Sequence, residues 1–292
     1  MAQMPIMDNN MKKYTIGLYE KAMPNELNWH QKLTEAKEAG YDSVEISIDE
    51  SDQRLERLYN KELQVEIKKA ILEVGIPIRS MCLSGHRKYP LGSHDEKIRE
   101  KSLDIFYRAV DLAVYLGTSI IQLAGYDVYY EEGDQETVKW FGTNLLKGVN
   151  YAAKRGILLG FETMETPFLN SVRKAMKYVD LVNSPYLHVY PDIGNITNSA
   201  LSENHDLYED IRSGKGHLIA AHLKETIPNV FREVEFGEGH VDFEKGVKAL
   251  WEEGVRFFGC EFWYSDKTDY RERLRHNIKF VREYLDKMEE TK

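Results

Sequence analysis

A chain of 292 residues with formal net charge −9, from 39 basic and 48 acidic side chains, lacks the clustered positive charge that grips nucleic-acid backbones or anionic membranes. It is 42% hydrophobic and 30% charged, enough apolar material for a large core, yet no stretch reaches the roughly 20 apolar residues that span a bilayer. Nucleic acid and membrane are therefore excluded as expected partners, while a small phosphorylated ligand, which needs only a few cations in a cleft, is not.

In chain order, residues 1–10 read as an appendage, because Met11 immediately precedes the first β-rich run, and 11–292 read as one domain. Their composition lacks the charged start and apolar centre of a signal peptide, which predicts a cytoplasmic protein. Strand-like runs follow at YTIGLY from Tyr14, SVEISI from Ser43, IRSMCL from Ile78 and SIIQLA from Ser119. The second half adds ILLGFE from Ile157, LHVYPD from Leu187, IAAHLK from Ile219 and FFGCEF from Phe257. Most are continuous apolar runs, as parallel strands covered on both faces should be. Between them lie helical patterns, such as Leu103, Phe106, Val110, Ala113 and Val114, and then Leu145, Leu146, Val149, Ala152 and Ala153. Gly40, Gly75, Gly117, Gly156 and Gly254 stand where such helices should close. Cys82 and Cys260, both inside apolar runs, read as reduced core thiols. About eight βα units over about 280 residues predict an α/β protein, a single (β/α)8 TIM barrel. A doubly wound open sheet is disfavoured, since no strand is followed by a glycine-rich phosphate loop.

Working residues of a parallel barrel sit at the C-terminal ends of its strands. The last four runs deliver Glu162, Asp192, His222 and Glu261 there. Three carboxylates and an imidazole around one mouth suit a single divalent ion (Mn, Zn, Co or Mg), with no organic cofactor. Each residue alone has a plainer reading: Asp192 as a turn former before Gly194, His222 as a hydrogen-bonded core histidine. Glu162 and Glu261 resist one, because carboxylates inside apolar runs must be paired, protonated or metal-bound.

The stretches LYEKAMP, SIDESDQRLERL, MCLSGHRKYPLGS, IQLAGYDVYYE, FETMETPFLNS, YPDIGN, HLKET and FGEGHVDFE, read in this order, closely resemble the L-xylulose-5-phosphate 3-epimerases, also called L-ribulose-5-phosphate 3-epimerases, of the xylose-isomerase-like barrel superfamily. The resemblance runs from about Tyr14 to the last helix. It implies that Glu162, Asp192, His222 and Glu261 are the metal ligands and that Glu162 and Glu261 are the catalytic acid–base pair. It further implies conversion of L-xylulose 5-phosphate to L-ribulose 5-phosphate through a cis-enediolate, in sugar or ascorbate catabolism. An aldose–ketose isomerase acting on a sugar or hexulose phosphate is the alternative that uses the same residues, moving the proton between carbons 1 and 2.

A substrate phosphate needs donors at the mouth. His86, Arg87 and Lys88 after the third run are candidates, as is Arg54, with Arg57, after the second. For Arg54 and Arg57 a solvated helix face weighs slightly more. Lys224 either neutralises the enediolate or pairs with a ligand carboxylate, and Glu165 is either a substrate contact or a surface loop residue. Asp242 is expected to cap a helix, and the Gly237–Gly239 turn either approaches substrate or only reverses the chain. Tyr126, Tyr129 and Tyr130 either wall the pocket or pack under a loop, and Trp263 is open in the same way. Barrel enzymes commonly self-associate, so a homodimer is expected.

Overall fold

The computed structural model describes residues 12–290, so the appendage read over 1–10 lies outside the described residues. Each predicted strand is present: β1 Thr15–Tyr19, β2 Ser43–Ile48, β3 Ile78–Leu83, β4 Ile120–Ala124, β5 Leu158–Glu162, β6 Leu187–Tyr190, β7 Ala221–Leu223 and β8 Phe257–Cys260. All pair in parallel, in the order β6-β5-β4-β3-β2-β1-β8-β7. Parallel bridges from Val189 to Leu218 and from Asp192 to His222 close the ring between β6 and β7. Around it lie α1 Trp29–Ala39, α2 Asp52–Leu55, α3 Lys61–Val74, α4 Glu96–Leu116 and α5 Gln135–Ala153. They continue with α6 Val172–Val182, α7 Ile193–Glu203, α8 Leu207–Arg212, α9 Phe243–Glu252 and α10 Tyr270–Glu290. Among the described residues no helix is long and apolar enough to cross a membrane.

The strands look uniformly apolar in sequence because both faces are covered, yet the two faces differ in chemistry. On β2, Val44, Ile46 and Ile48 join the large core between sheet and helices, while Ser43, Glu45 and Ser47 alternate with them and are equally buried. Toward one end of the barrel interior, Ile120, Tyr190, Ala220 and Phe257 form a separate apolar plug. Above that plug the interior positions turn polar, and the site is built there.

Helix ends follow local chemistry. Asn28 and Gln31 form a capping box on α1, Asp134 and Thr137 another on α5, and Asp242 caps α9 by accepting from the Lys245 N–H at 2.9 Å. Gly40, Gly75 and Gly117 close α1, α3 and α4 with φ of 99°, 74° and 83°, conformations that a Cβ would disfavour. The helical faces are rotated slightly from the sequence pattern. α4 buries Ile105, Phe106, Ala109, Val110, Leu112, Ala113 and Leu116, leaving Val114 exposed, and Leu146 of α5 is exposed as well. Apolar residues next to the stripe are not distinguished from those within it by spacing alone.

Arg54 and Arg57 are buried and turn to acidic partners, not out onto a solvated helix face. Glu20, fully buried just past β1, pairs with Arg57, with Lys32 at 3.0 Å and with Arg54 at 4.0 Å, and accepts from the Ser47 N–H at 2.8 Å. Arg54 also binds Asn25 at 2.6 Å and faces Asp49 at 3.5 Å. Burial alone would raise the Glu20 carboxyl, but Arg57, Lys32 and Arg54 hold it well below the usual carboxylate range. Glu20→Ala strands these cations, so it should cost about 3–5 kcal/mol in urea unfolding. Because the folded-state carboxyl is depressed, its stabilisation is present above the unfolded-state value and lost as pH falls toward the folded one. An unfolding midpoint for Glu20→Ala equal to wild type at neutral pH would contradict this.

Candidate metal centre and substrate cleft

Four chain segments deliver one polar side chain each to the mouth. Glu162 ends β5, Asp192 lies two residues beyond β6, His222 is inside β7, and Glu261 directly follows β8. Each offers a ligand atom, and these four atoms lie within 4.8 Å of one another with all four residues buried. From His222 Nδ1 the distances are 3.3 Å to Glu162 Oε1, 3.5 Å to Glu261 Oε2 and 3.9 Å to Asp192 Oδ2. Donors about 2.1 Å from a shared six-coordinate cation stand about 3 to 4 Å apart, which these gaps match.

Asp192 resolves its two readings by using different oxygens. Oδ1 caps α7 by accepting from the Asn195 N–H at 2.9 Å, while Oδ2 faces the centre. Asp192 Oδ2 and Glu261 Oε2 are buried and accept no well-directed hydrogen bond among the described residues, although Lys224 Nζ lies 2.6 and 3.1 Å from them. Oriented anionic oxygens with lone pairs to spare, beside a histidine and no thiolate ligand, fit a divalent cation of the Mn, Mg, Co or Zn type.

Electrostatics separate the carboxyls. Burial, and then the charge of Glu261, raise that of Glu162. Burial lifts Asp192 to about 7 against the pull of Lys224. At Glu261 burial is outweighed by Lys224 and His222, and the carboxyl falls to about 2. Burial opposes charging of His222, yet Glu45 and Glu261 raise it well above the ordinary imidazole value. Lys224, raised by Asp192 and Glu261 despite its burial, stays an ammonium.

Above the centre opens a cleft whose floor includes Glu162 and Glu261. Lys21, Arg87, Glu165, Lys224, Arg232 and Trp263 contribute to its lining. Arg87 donates to Tyr126 Oη at 3.2 Å and faces Glu165 at 3.6 Å; Arg232 donates to the same Glu165 oxygen at 3.0 Å. Two guanidiniums sharing one carboxylate leave donor capacity at the rim.

Other candidates lie elsewhere. His86 is buried, its Nε2 3.2 Å from the Ser102 carbonyl and its ring against Phe106, and burial lowers it to about 4, so it is a neutral packing residue. Lys88 is exposed over the Tyr89 ring and does not line the cleft. Tyr126 and Tyr129 both donate to Glu165, behind the lining, and Tyr130 reaches out to Glu50. Trp263 does line the cleft and packs edge-on against Tyr19. The Gly237–Gly239 turn is structural. Glu225 accepts from the Gly237 and Val241 N–H groups at 3.0 and 3.1 Å, and a Cβ on Gly239 would collide with Glu225 and the Thr226 carbonyl.

Sequence reading missed Glu45, Gln122, Asn195 and Arg232. Gln122 donates to Glu162 Oε2, and Glu45 lies behind His222. Glu45 had the signal that singled out Glu162 and Glu261, an acidic side chain within an apolar strand. Arg232 had none, since its loop is defined only in three dimensions.

The family described as xylose isomerase-like TIM barrel matches residues 33–284. SgbU of Haemophilus influenzae is 45% identical over 240 residues, 80% of this chain and 82% of its own length. UlaE of Escherichia coli, an L-ribulose-5-phosphate 3-epimerase, is 42% identical over 244 residues, 83% of this chain and 84% of its own. Among solved structures, the D-allulose 3-epimerase from Methylomonas sp. in complex with D-allulose superposes with a TM-score of 0.76 at 19% identity, covering 94% of this chain and 98% of that one, which supports the fold. Barrel, converging donors and identity over four-fifths of the chain agree: this protein belongs to the xylose isomerase-like TIM barrel family and, within it, to the L-ribulose-5-phosphate 3-epimerases.

Proposed function

We propose that the protein catalyses metal-dependent 3-epimerisation of a ketopentose 5-phosphate, interconverting L-xylulose 5-phosphate and L-ribulose 5-phosphate, and that it serves sugar or ascorbate catabolism. Glu162, Asp192, His222 and Glu261 hold one divalent ion, and Glu162 and Glu261 are the acid–base pair. The observation that carries the reading is a pair of buried glutamates, Glu162 at the end of β5 and Glu261 just after β8, that share one donor centre with Asp192 and His222. Two carboxyls arriving from separate strands suit a proton removed by one and returned by the other. The relatives' names supply the substrate class.

A bound divalent cation would polarise the C2 carbonyl and stabilise the negative charge that develops on the sugar oxygens once C3 is deprotonated. The chain's own residues do the rest. Glu162 and Glu261 approach from strands β5 and β8, set apart around the ring, so that they can address opposite faces of the sugar. Lys224, between Asp192 and Glu261, keeps Glu261 ionised and ready to accept the C3 proton. Gln122 orients Glu162. At the rim, Arg87 receives the 5-phosphate, with Glu165 holding its guanidinium in place. Trp263 and Tyr19 limit water at the reacting carbon.

Turnover of L-xylulose 5-phosphate in deuterated water tests the proton chemistry. The product should be L-ribulose 5-phosphate carrying deuterium at C3, read by NMR. An aldose product, or epimer formed without solvent label at C3, would reject the mechanism.

A further inference from the structure

We infer that Glu45 is a positioning residue for this centre: it selects the tautomer of His222 and so decides which ring nitrogen is presented to the ion. The inference rests on the metal-centre reading above. Glu45 lies in the middle of β2, fully buried, and reaches across the barrel interior to β7. Its Oε1 is 2.8 Å from His222 Nε2, and its Oε2 accepts from Tyr190 Oη at 3.3 Å. A carboxylate only accepts, so Nε2 must carry its hydrogen. A cation placed among Glu162, Glu261 and Asp192 would meet the Nδ1 edge and displace the proton there, while Glu45 keeps the one on Nε2.

The ring is also held in orientation. Tyr190 stacks edge-on at 4.8 Å, and Gly259 lies so close that a Cβ there would come within 2.8 Å of His222 Cδ2. Packing thus fixes the plane of the imidazole, and Glu45 fixes its proton. Without the carboxylate, His222 keeps its place but the Nδ1–H tautomer, which cannot ligate, becomes accessible.

The test uses the full chain, stripped of metal and titrated with Mn²⁺ by calorimetry, in wild type, Glu45→Gln and Glu45→Asp. Loss of an outer partner of a ligating histidine weakens metal binding about 10- to 100-fold, and that loss is expected for Glu45→Gln. Glu45→Asp retains the charge but withdraws it from Nε2, so it should also bind more weakly, and it carries the test if the glutamine variant does not fold. With Zn²⁺ bound, histidine-ring ¹⁵N NMR should show a strongly hydrogen-bonded His222 Nε2–H in wild type that shifts in both variants, a change that general loosening of the core would not confine to one ring. Wild-type affinity in both variants with an unchanged His222 signal overturns the role of Glu45 alone. Failure of the wild-type protein to bind Mn²⁺ overturns the metal centre, and the role of Glu45 with it.

Discussion

Glu162→Gln and Glu261→Gln should each lower kcat for 3-epimerisation by about 10²- to 10⁴-fold, the range that a positioned acid or base contributes. Glutamine keeps the volume and one carbonyl oxygen but cannot take a proton from carbon. The two variants should differ in a second respect. Glu162 lies in a setting that favours its neutral form, so an uncharged side chain there relieves desolvation and leaves the metal-free fold intact. Glu261 is held ionised by Lys224 and His222, so Glu261→Gln leaves Lys224 with Asp192 as its remaining partner at the centre and should reduce the thermal midpoint. Metal content measured on the same samples separates lost proton transfer from lost ligation. If either variant, loaded with metal, turns over within tenfold of wild type, that glutamate is not part of the acid–base pair.

Stripping the protein with a chelator should abolish turnover and lower its thermal midpoint by several degrees, and Mn²⁺ should restore both. The metal-free centre gathers three carboxylates with the cations Lys224 and His222 as close partners, and burial, with the charge of Glu261 added to it, raises the Glu162 and Asp192 carboxyls, so a cation would favour their ionised forms. An ion that binds only the folded state adds about 4 kcal/mol at a thousandfold excess over Kd. For a chain of this size that corresponds to about 8 °C. Scanning calorimetry of stripped and reloaded protein measures the shift. An unchanged midpoint at saturating Mn²⁺, together with chelator-resistant turnover, would remove the ion from both fold and chemistry.

How much of this was legible in the sequence depends on the range of the physics involved. Strand positions, the cap at Asp242 and the closures at Gly40, Gly75 and Gly117 are local, governed by residues within one turn or one strand, and they read directly, whereas the helices before Gly156 and Gly254 end at Lys154 and Glu253 instead. So did Glu162 and Glu261, because a carboxylate in an apolar run must have a purpose. The basic residues after β2 and β3 read poorly, since spacing does not tell whether an arginine faces a cleft or a buried acid. Arg54 and Arg57 turned inward to Glu20, His86 turned to the Ser102 carbonyl, and Arg87 reached the rim.

By itself the sequence determined that this is a barrel of parallel βα units, and which four side chains stand at its strand ends, because alternation and burial act over a few residues. Only the tertiary structure decided what stands behind those four: Glu45 against His222, Gln122 on Glu162, and Lys224 between Asp192 and Glu261. Those contacts join strands up to 177 positions apart, and closure of the barrel sets their distances. A carboxylate, an amide and an ammonium acquire their partners only when that ring is complete.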